Sequence, residues 1–191
     1  MTTGKIFVVS APSGAGKNTL LDHLKATVPN LVYSISATTR KPRSGEVDGV
    51  HYFFLSVEEF KARITQGAFA EWAEVFDNYY GTPRAFIDTT IAAGSHIIMD
   101  IDVQGKVQFD TVYPHAVGIL IVPPSMAALR DRLTKRGTDS PEVISGRLKK
   151  AQEELIFART KGKYEHTVIN DDLVRAQNEF VEIVRKYVAA K

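Results

Sequence analysis

The feature that most constrains the fold is a segment near the N-terminus in which an apolar run is followed by a loop of small residues and then by a helix. The run Ile6–Val9 is unbroken and predicts a buried strand, and leucines recur with helical spacing from Lys17 onward. Glycines in the intervening loop let backbone N–H groups turn inward, and the helix N-terminus and Lys17 add positive charge. The segment therefore predicts a phosphate-binding loop. An ordinary strand-to-helix turn is the alternative, and the strand and helix on either side disfavour it.

This loop departs at both ends from the usual pattern G-x-x-x-x-G-K-[ST]. Ala11 stands at the first position, where alanine is costly only if its φ is positive. Asn18 stands at the last position, where the usual Ser or Thr hydroxyl helps to hold Mg²⁺ or its water shell. Asparagine still offers an oxygen of the kind that Mg²⁺ binds, on a longer side chain. The adjacent Thr19 is expected to point elsewhere on the helix.

Length and charge exclude several classes of protein. A chain of 191 residues suits one domain with a hydrophobic core, and a net charge of +2 gives no reason to expect binding to nucleic acid or a membrane. The absence of cysteine excludes disulfides and thiolate metal ligands. No apolar stretch approaches about 18 residues, and the chain enters a strand at once without the features of a signal peptide. We therefore expect a cytoplasmic protein, and the sequence does not indicate its oligomeric state.

Strand and helix patterns alternate along the chain, which predicts an α/β fold. The runs 97–99 and 117–122 are continuously apolar, as in parallel strands that are covered on both faces. We expect a parallel sheet flanked by helices, interrupted by a strand-rich insertion and a helical excursion. The expected boundaries are 1–33, 83–125 and 161–191 for the core, 34–82 for the insertion and 126–160 for the excursion.

Local signals place several elements within this frame. We predict strands over 31–36 and 51–54. A helix follows Ser56, which is predicted to form a capping box with Glu59. The pair Thr82-Pro83 is predicted to cap the next helix.

Two polar patches lie in the predicted insertion. Arg40, Lys41 and Arg43 fall within four residues and could cradle a phosphate, with a solvated basic loop as the alternative. Residues 69–82 combine a carboxylate, phenols and a hydroxyl that could bind the polar edge of a base. Taken alone, the second patch is better interpreted as a partly exposed strand.

A third patch is the pair Asp100 and Asp102, which comes directly after the apolar run 97–99. Carboxylates at the carboxyl end of a buried strand lie where parallel sheets place their ligands. Charges next to such a run are costly unless they are paired or functional, so we interpret this pair as part of a site.

Several motifs in register along the chain together resemble the guanylate kinase family. They are the early phosphate loop, S-x-T-T-R-x-P-R-x-G-E, E-W-A-E, N-Y-Y-G-T, D-I-D-x-Q-G, P-P-S, R-x-x-x-R-G-T and the late N-D-D. The resemblance covers essentially the whole chain. It implies Mg²⁺-dependent transfer of the ATP γ-phosphate to GMP, which gives ADP and GDP, with dGMP as a second acceptor that would give dGDP. It also implies an α/β P-loop kinase core with a small α+β GMP-binding insertion and a helical lid, the two excursions expected above.

The resemblance further implies which residues form the sites. The ATP-binding residues would be Ala11, Pro12, Ser13, Gly14, Ala15, Gly16, Lys17, Asn18, Thr19 and Asn170, with Asp171 also near the adenine. The GMP phosphate would be held by Arg40, Arg43, Tyr52 and Tyr80, and the guanine by Ser36, Glu71, Thr82 and Asp102. The catalytic residues would be Lys17, Arg132, Arg136 and Arg147. Asp100 would position either metal-bound water or the acceptor phosphate, and the candidate metal ligands are Asp100 and, directly or through water, Asn18.

The chemistry of guanine supports the role implied for Glu71. Guanine presents its N1–H and its N2 amino group side by side as donors, and one carboxylate can accept both. Adenine presents an acceptor at N1, which would leave a buried carboxylate unsatisfied and repelled. We therefore expect Glu71 to select GMP over AMP.

The arginines of the expected lid can reach the phosphates from two directions. Arg132 and Arg136 are four residues apart and share one helical face, whereas Arg147 lies beyond a break at Gly137 and Pro141 and must come from another helix. Three guanidiniums converging there would neutralise charge on the transferred phosphoryl group as the lid closes. A solvated amphipathic helix is the alternative.

Two other functions are alternatives to the kinase: a non-catalytic interaction module and a kinase acting on a sugar phosphate. A non-catalytic module of the kind found in scaffolding proteins typically loses residues of the phosphate loop or GMP site, and only Asn18 favours it here. A kinase acting on a sugar phosphate would not need the pair Glu71 and Asp102 to bind a base.

Overall fold

In the computed structural model, residues 4–137 and 139–189 are described, and these ranges form nine strands and seven helices. The strands are β1 (Ile6–Ser10), β2 (Leu31–Tyr33), β3 (Ala37–Thr38), β4 (Phe53–Phe54), β5 (Phe69–Val75), β6 (Asn78–Pro83), β7 (His96–Asp100), β8 (Val117–Val122) and β9 (His166–Ile169). The helices are α1 (Lys17–Thr27), α2 (Val57–Thr65), α3 (Arg84–Ala92), α4 (Val103–Val112), α5 (Met126–Lys135), α6 (Pro141–Lys161) and α7 (Leu173–Ala189). None of these helices is long and apolar enough to cross a lipid bilayer.

The main sheet contains five parallel strands in the order β2-β7-β1-β8-β9. Its central strands are unbroken apolar runs because helices cover both faces. Phe7 and Val9 pack with Phe180 of α7 on one face, and Val8 packs with Phe109 of α4 on the other. The predicted parallel sheet flanked by helices is confirmed. Because β1 and β7 are neighbours, the loops that follow them meet at the same edge of the sheet.

A second sheet, in the order β4-β3-β6-β5, stands beside the first. It packs on α2 through Phe60, whose ring stacks on Phe69 with centroids 4.3 Å apart. The predicted capping box at the start of α2 is present: Ser56 accepts from the Glu59 amide, and the Glu59 carboxylate accepts from the Ser56 amide. All of this sheet except Pro83 comes from the expected insertion, 34–82, whose boundaries stay a prediction.

Two strand predictions in this region were too long. The chain leaves the main sheet after Tyr33, because the Ser34 amide still donates to Ile98 O whereas Ser36 O already accepts from the Phe53 amide of the second sheet. Of the predicted strand 31–36, only β2 is regular, and the next strand, β3, begins at Ala37 and belongs to the second sheet. In the segment predicted over 51–54, only β4 is regular.

The predicted role of Thr82 as a helix cap was wrong. Pro83 itself occupies the N-cap position of α3, with no side-chain capping bond. The Thr82 hydroxyl instead donates to Glu71 Oε1 at 2.5 Å. The hydroxyl of the buried Thr82 thus binds a carboxylate and does not cap the helix.

Helices α5 and α6 are separated by the predicted break. Ser125 and Ser140 cap their N-termini through hydrogen bonds from backbone amides, and Gly137 has a φ of +66°. The two helices pack through Leu129, Leu148 and other buried side chains. The predicted extent of the lid, 126–160, includes Thr138, which lies outside the described residues, and it stays a prediction.

Candidate functional site

The loop between β1 and α1 has the backbone of an anion-binding nest. Gly14 and Gly16 have φ values of +89° and +92°, which favour glycine. A Cβ atom on Gly16 would lie 2.3 Å from Asn170 Nδ2, so this position also lacks room for a side chain. Ala11 does not have a positive φ, and the alanine found there instead of glycine therefore causes no backbone strain.

Asn170 holds this loop from the end of β9. Its Nδ2 donates to Ala15 O at 2.7 Å, and its own backbone oxygen accepts from Arg132 Nη2 at 2.5 Å. A cavity of about 390 Å³, here called the loop-side cavity, opens beside these groups. It is lined by Gly14, Gly16, Thr19, Arg132, Lys135, Arg136, Asn170, Asp171 and Leu173.

The three predicted catalytic arginines lie at the loop or beside it and come from the end of α5 and from α6. Arg132 and Arg136, at the C-terminal end of α5, both line the loop-side cavity. Arg147 comes from α6, where Nη2 donates to Ser13 Oγ at 3.1 Å and Nη1 pairs with Asp139. The expectation that Arg147 arrives from a separate helix is met, and the catalytic roles of the three remain predictions.

Asp100 joins this loop to the rest of the site. One carboxylate oxygen pairs with Lys17 Nζ, and the other accepts from the Tyr33 hydroxyl. Burial alone would raise the pKa of Asp100, but the charge and hydrogen bond of Lys17 and the hydrogen bond of Tyr33 outweigh it and lower the pKa. Burial, followed by the charge of Asp100, raises the pKa of Tyr33, which therefore stays a donor. Lys17 is thus held at the loop by an ionised partner.

A second cavity, of about 290 Å³, lies between the main sheet and the second sheet. We call it the acidic cavity because Glu71, Asp100 and Asp102 all line it. Its complete lining is Ser36, Tyr52, Glu71, Ala73, Val75, Tyr80, Gly81, Asp100, Ile101 and Asp102. If Asp100 is counted with the eight residues expected to hold the GMP phosphate and guanine, six of these nine line this cavity, and Thr82 donates to its Glu71.

Glu71 is the most perturbed carboxyl group of the acidic cavity. Burial raises its pKa most, the charges of Asp102 and Asp100 add to this, and hydrogen bonds from Thr82 oppose it, leaving a pKa of about 7. Space around its second oxygen is limited, since a Cβ on Gly105 would lie 2.9 Å from Oε2. With a pKa of about 7, the Glu71 carboxyl is partly protonated and partly ionised near neutral pH.

Asp102 is held firmly beside it. As the N-cap of α4, its Oδ1 accepts from the amides of Gln104 and Gly105 at 2.9 and 2.7 Å. The sequence placed Asp102 in a ligand site but did not show that the same side chain also caps a helix. Its position on the cavity wall is thus fixed by backbone groups.

The basic patch forms a rim near this cavity. Arg40 makes a two-pronged contact with Glu46 at 3.0 and 2.8 Å, and its guanidinium lies 5.4 Å from the Tyr52 ring centroid. The hydrogen bond from Arg40, more than that from the Arg43 amide, lowers the pKa of Glu46 to about 2. The side chain of Arg43 is exposed and does not line the acidic cavity, unlike Tyr52 and Tyr80.

Two side chains that touch the predicted site residues were not predicted from the sequence to have a role. Glu46 was noted only as the end of a motif, yet it is the partner of Arg40. Tyr33 received no role, although it ends the strand next to β7. The residues around Tyr33 carry no signal for this contact, because it depends on the pairing of β2 with β7, which brings Tyr33 beside Asp100.

The candidate metal ligands lie at the edge of the loop. Asn18 is exposed in the first turn of α1, and Asp100 is already bound to Lys17 and Tyr33. Thr19, expected to point elsewhere, lines the loop-side cavity. Within 4–137 and 139–189, no group of three or more His, Cys, Asp or Glu side chains could hold a metal ion.

Comparisons with known proteins point to one family. The family model for guanylate kinase matches residues 3–187. A guanylate kinase of Caldanaerobacter subterraneus subsp. tengcongensis is 48% identical over 188 residues, covering 98% of this chain and 88% of that protein. One of Shewanella violacea is 49% identical over 183 residues, covering 95% and 87%. The crystal structure of guanylate kinase from Anaplasma phagocytophilum is similar with a TM-score of 0.71 and 33% identity, covering 98% of this chain and 87% of that chain.

Proposed function

The chain belongs to the guanylate kinase family, and we propose that GMP binds in its acidic cavity while ATP binds at the loop that carries Lys17. The reaction is transfer of the γ-phosphate of ATP to GMP, which gives ADP and GDP. The observation that carries the assignment of the two sites is the position of Asp100, which lines the acidic cavity and pairs with Lys17. The two nucleotides would therefore meet at this residue.

Recognition of guanine is assigned to the carboxylates of the acidic cavity. Glu71, when ionised, can accept from guanine N1–H and from the N2 amino group, while the Thr82 hydroxyl keeps Glu71 in place. Ser36 and Asp102 line the same wall and complete the polar edge. The apolar side chains of Val75 and Ile101 offer surface for the purine ring.

The phosphate of GMP is assigned to the basic rim. Arg40 is already oriented by Glu46 and stands over Tyr52, which with Tyr80 lines the acidic cavity. Guanidinium and phenol groups are suitable donors to a phosphate dianion. Arg43 is exposed and would have to turn inward to join them.

The phosphates of ATP are assigned to the nest after β1. Its amides, the N-terminus of α1 and Lys17 would hold the donor, and Arg147 already reaches Ser13 in the same loop. The phosphate of GMP is itself an anionic nucleophile, so alignment and charge neutralisation account for most of the rate without a general base. The loop-side cavity, next to Asn170 and Asp171, is the proposed place of the adenosine.

We propose Mg²⁺ as the cofactor, carried to the site with ATP. Asn18 and Asp100 offer oxygen atoms at the phosphate loop, and no larger ligand set exists in the described part of the chain. This fits an ion that keeps several waters and takes other ligands from the nucleotide. When bound, Mg²⁺ neutralises charge on the phosphate oxygens.

A panel of acceptors tests the proposed function. ADP release from ATP would be measured with GMP, dGMP, AMP, UMP and a ribose phosphate. We expect turnover with GMP and dGMP and little with the others. No turnover with any acceptor would favour an interaction module, and turnover with the ribose phosphate would favour a sugar-phosphate kinase.

The use of GMP should depend on pH through Glu71, whose pKa in the free protein is about 7. Below this pH the carboxyl is protonated and cannot accept from both guanine donors, so kcat/KM for GMP should fall about tenfold per pH unit. At saturating GMP, kcat should change less, because guanine stabilises the ionised carboxylate.

Rates measured from about pH 5.5 to about pH 8.5 check this. In Glu71→Gln the inflection near pH 7 should vanish, leaving the titration of the GMP phosphate at about pH 6. A wild-type profile that is flat between about pH 6 and about pH 8 would contradict the assignment.

Replacing the asparagine of the phosphate loop should strengthen Mg²⁺ binding. In Asn18→Ser, a hydroxyl of the usual length replaces the longer amide, so half-maximal activity should need about threefold less Mg²⁺. Titration of activity with Mg²⁺ at fixed ATP measures this, with Asn178→Ser on the exposed face of α7 as the control. An unchanged midpoint in Asn18→Ser would mean that this side chain has no part in binding the ion.

We also propose that the segment 126–160 closes as a lid over both nucleotides. The support is that Arg147 of α6 donates to Ser13 of the phosphate loop, and that Arg132 of α5 donates to Asn170, which itself binds that loop. The radius of gyration in solution should decrease when GMP and a non-hydrolysable ATP analogue bind together. An unchanged radius would contradict closure.

The organisation of the chain and its location are proposed from the sequence. The core is proposed as residues 1–33, 83–125 and 161–191, with the GMP-binding region at 34–82. A cytoplasmic location, without nucleic-acid or membrane partners, is also proposed, on the balanced net charge of +2 and the lack of cysteine. Fractionation of the cells that make the protein would test the location, and recovery in the membrane fraction would contradict it.

A further inference from the structure

Tyr33 contacts the site from the edge of the main sheet. In the parallel pairing of β2 with β7, Tyr33 lies opposite Ile98, two residues before Asp100. Alternate residues of a strand share a face, so the side chains of Tyr33 and Asp100 lie on the same side of the sheet. The Tyr33 hydroxyl donates to Asp100 Oδ1, and Lys17 takes Oδ2.

The ring of Tyr33 is itself held in place. Lys25, in the last turn of α1, places its ammonium 3.6 Å from the ring centroid, in a cation–π contact. Helix α1 thus supplies Lys17 at its first turn and Lys25 at its last. Tyr33 is fixed between Lys25 and Asp100.

Two donors constrain a carboxylate more than one does. If Lys17 were the only partner of Asp100, rotation about Cβ–Cγ would let either oxygen follow the flexible lysine. The second donor comes from a β-strand, so it fixes the carboxylate plane and the position that Lys17 meets. Tyr33 lines neither the acidic cavity nor the loop-side cavity, so its effect passes through Asp100.

We propose that Tyr33 is a positioning residue for phosphoryl transfer: it orients Asp100, and through Asp100 the Lys17 ammonium, while it touches neither nucleotide. This rests on the proposed function, since Lys17 must act on the phosphates of ATP. Positioning of this kind affects the chemical step more than the binding of either substrate.

The test is Tyr33→Phe, which keeps the ring and its contact with Lys25 but removes the hydroxyl. We expect kcat to fall about tenfold, as for loss of one hydrogen bond to a charged group, with KM for ATP and GMP within about twofold of wild type. The matched control is Tyr113→Phe, which removes a hydroxyl that donates to Asp88 at 2.7 Å, outside both cavities. The control should leave kcat unchanged, and thermal unfolding of both variants shows whether either fold is damaged.

A double-mutant cycle separates a positioning role from a general structural one. In an Asp100→Ala background, where the hydroxyl has lost its acceptor, Tyr33→Phe should lower kcat less than about twofold further. A full tenfold loss in that background would overturn the proposal. It would also be overturned if Tyr33→Phe alone had the same kcat as Tyr113→Phe, or if it changed only KM. The wild-type rate with ATP and GMP, measured alongside, tests the proposed function separately, because that rate does not depend on the result for Tyr33.

Discussion

Glu71→Gln is expected to lower kcat/KM for GMP by about a thousandfold while KM for ATP stays within about twofold. The glutamine amide offers one acceptor, and its NH₂ group would face a guanine donor. The site then contains a buried donor against a donor, which costs far more than the loss of one exposed contact. Steady-state kinetics with each substrate varied in turn measures both effects.

The matched control is Glu74→Gln, three residues further along β5. Glu74 is exposed and does not line the acidic cavity, so this substitution removes the same charge without touching the proposed guanine site. GMP kinetics of the control should equal those of wild type. If Glu71→Gln impaired the kinetics for GMP and for ATP equally, Glu71 would not be part of the guanine site.

Glu71→Gln should also be more stable than the wild-type protein at alkaline pH when no nucleotide is added. The pKa of Glu71 is raised to about 7, so the stability linked to its neutral form is present below its ordinary pKa and lost as pH rises through about 7. Glutamine stays neutral, so Glu71→Gln should unfold at a higher temperature than wild type at about pH 8 and at a similar one at about pH 5. Stability and GMP use would thus change in opposite directions.

Lys17→Met is expected to lower kcat by about a thousandfold. Methionine has a similar length but no charge, so the phosphate loop keeps its shape while the group that follows the developing charge is lost. Asp100 also loses its ion-pair partner. Because the Asp100 carboxylate is only partly exposed, water does not fully replace Lys17, and the unfolding temperature should fall slightly. Single-turnover measurement of ADP formation isolates the effect on the chemical step.

The control for this prediction is Lys186→Met, which removes an exposed lysine in the last turn of α7. It changes the net charge equally and should leave kcat unchanged. A Lys17→Met enzyme within about tenfold of wild type would show that the loop amides and arginines suffice without the lysine.

Features that depend on neighbouring residues could be predicted from the sequence. The capping box of Ser56 and Glu59, the start of α1 and the break at Gly137 each need only a few adjacent residues. The parallel sheet could be predicted because strands covered on both faces must be apolar at every position, as residues 117–122 are. These signals placed the phosphate loop and the two Asp residues at one edge.

Features that depend on the register between distant segments could not be predicted from the sequence. The contact of Tyr33 with Asp100 joins residues 67 positions apart and depends on how β2 pairs with β7. The Thr82 hydroxyl could have capped a helix or bound a carboxylate. The pairing of β5 with β6 places it opposite Glu71, to which it donates. The pKa of that carboxyl depends on burial, which local sequence does not show.

The most direct test of the central claim, that ionised Glu71 binds guanine in the acidic cavity, is calorimetric titration of GMP at pH 7 in two buffers with different heats of ionisation. Because the free carboxyl is about half protonated there, GMP binding should release roughly half a proton, with no such release in Glu71→Gln. AMP should not bind to this cavity in either protein. Absence of GMP binding by folded wild-type protein, or a proton release unchanged in Glu71→Gln, would contradict the account.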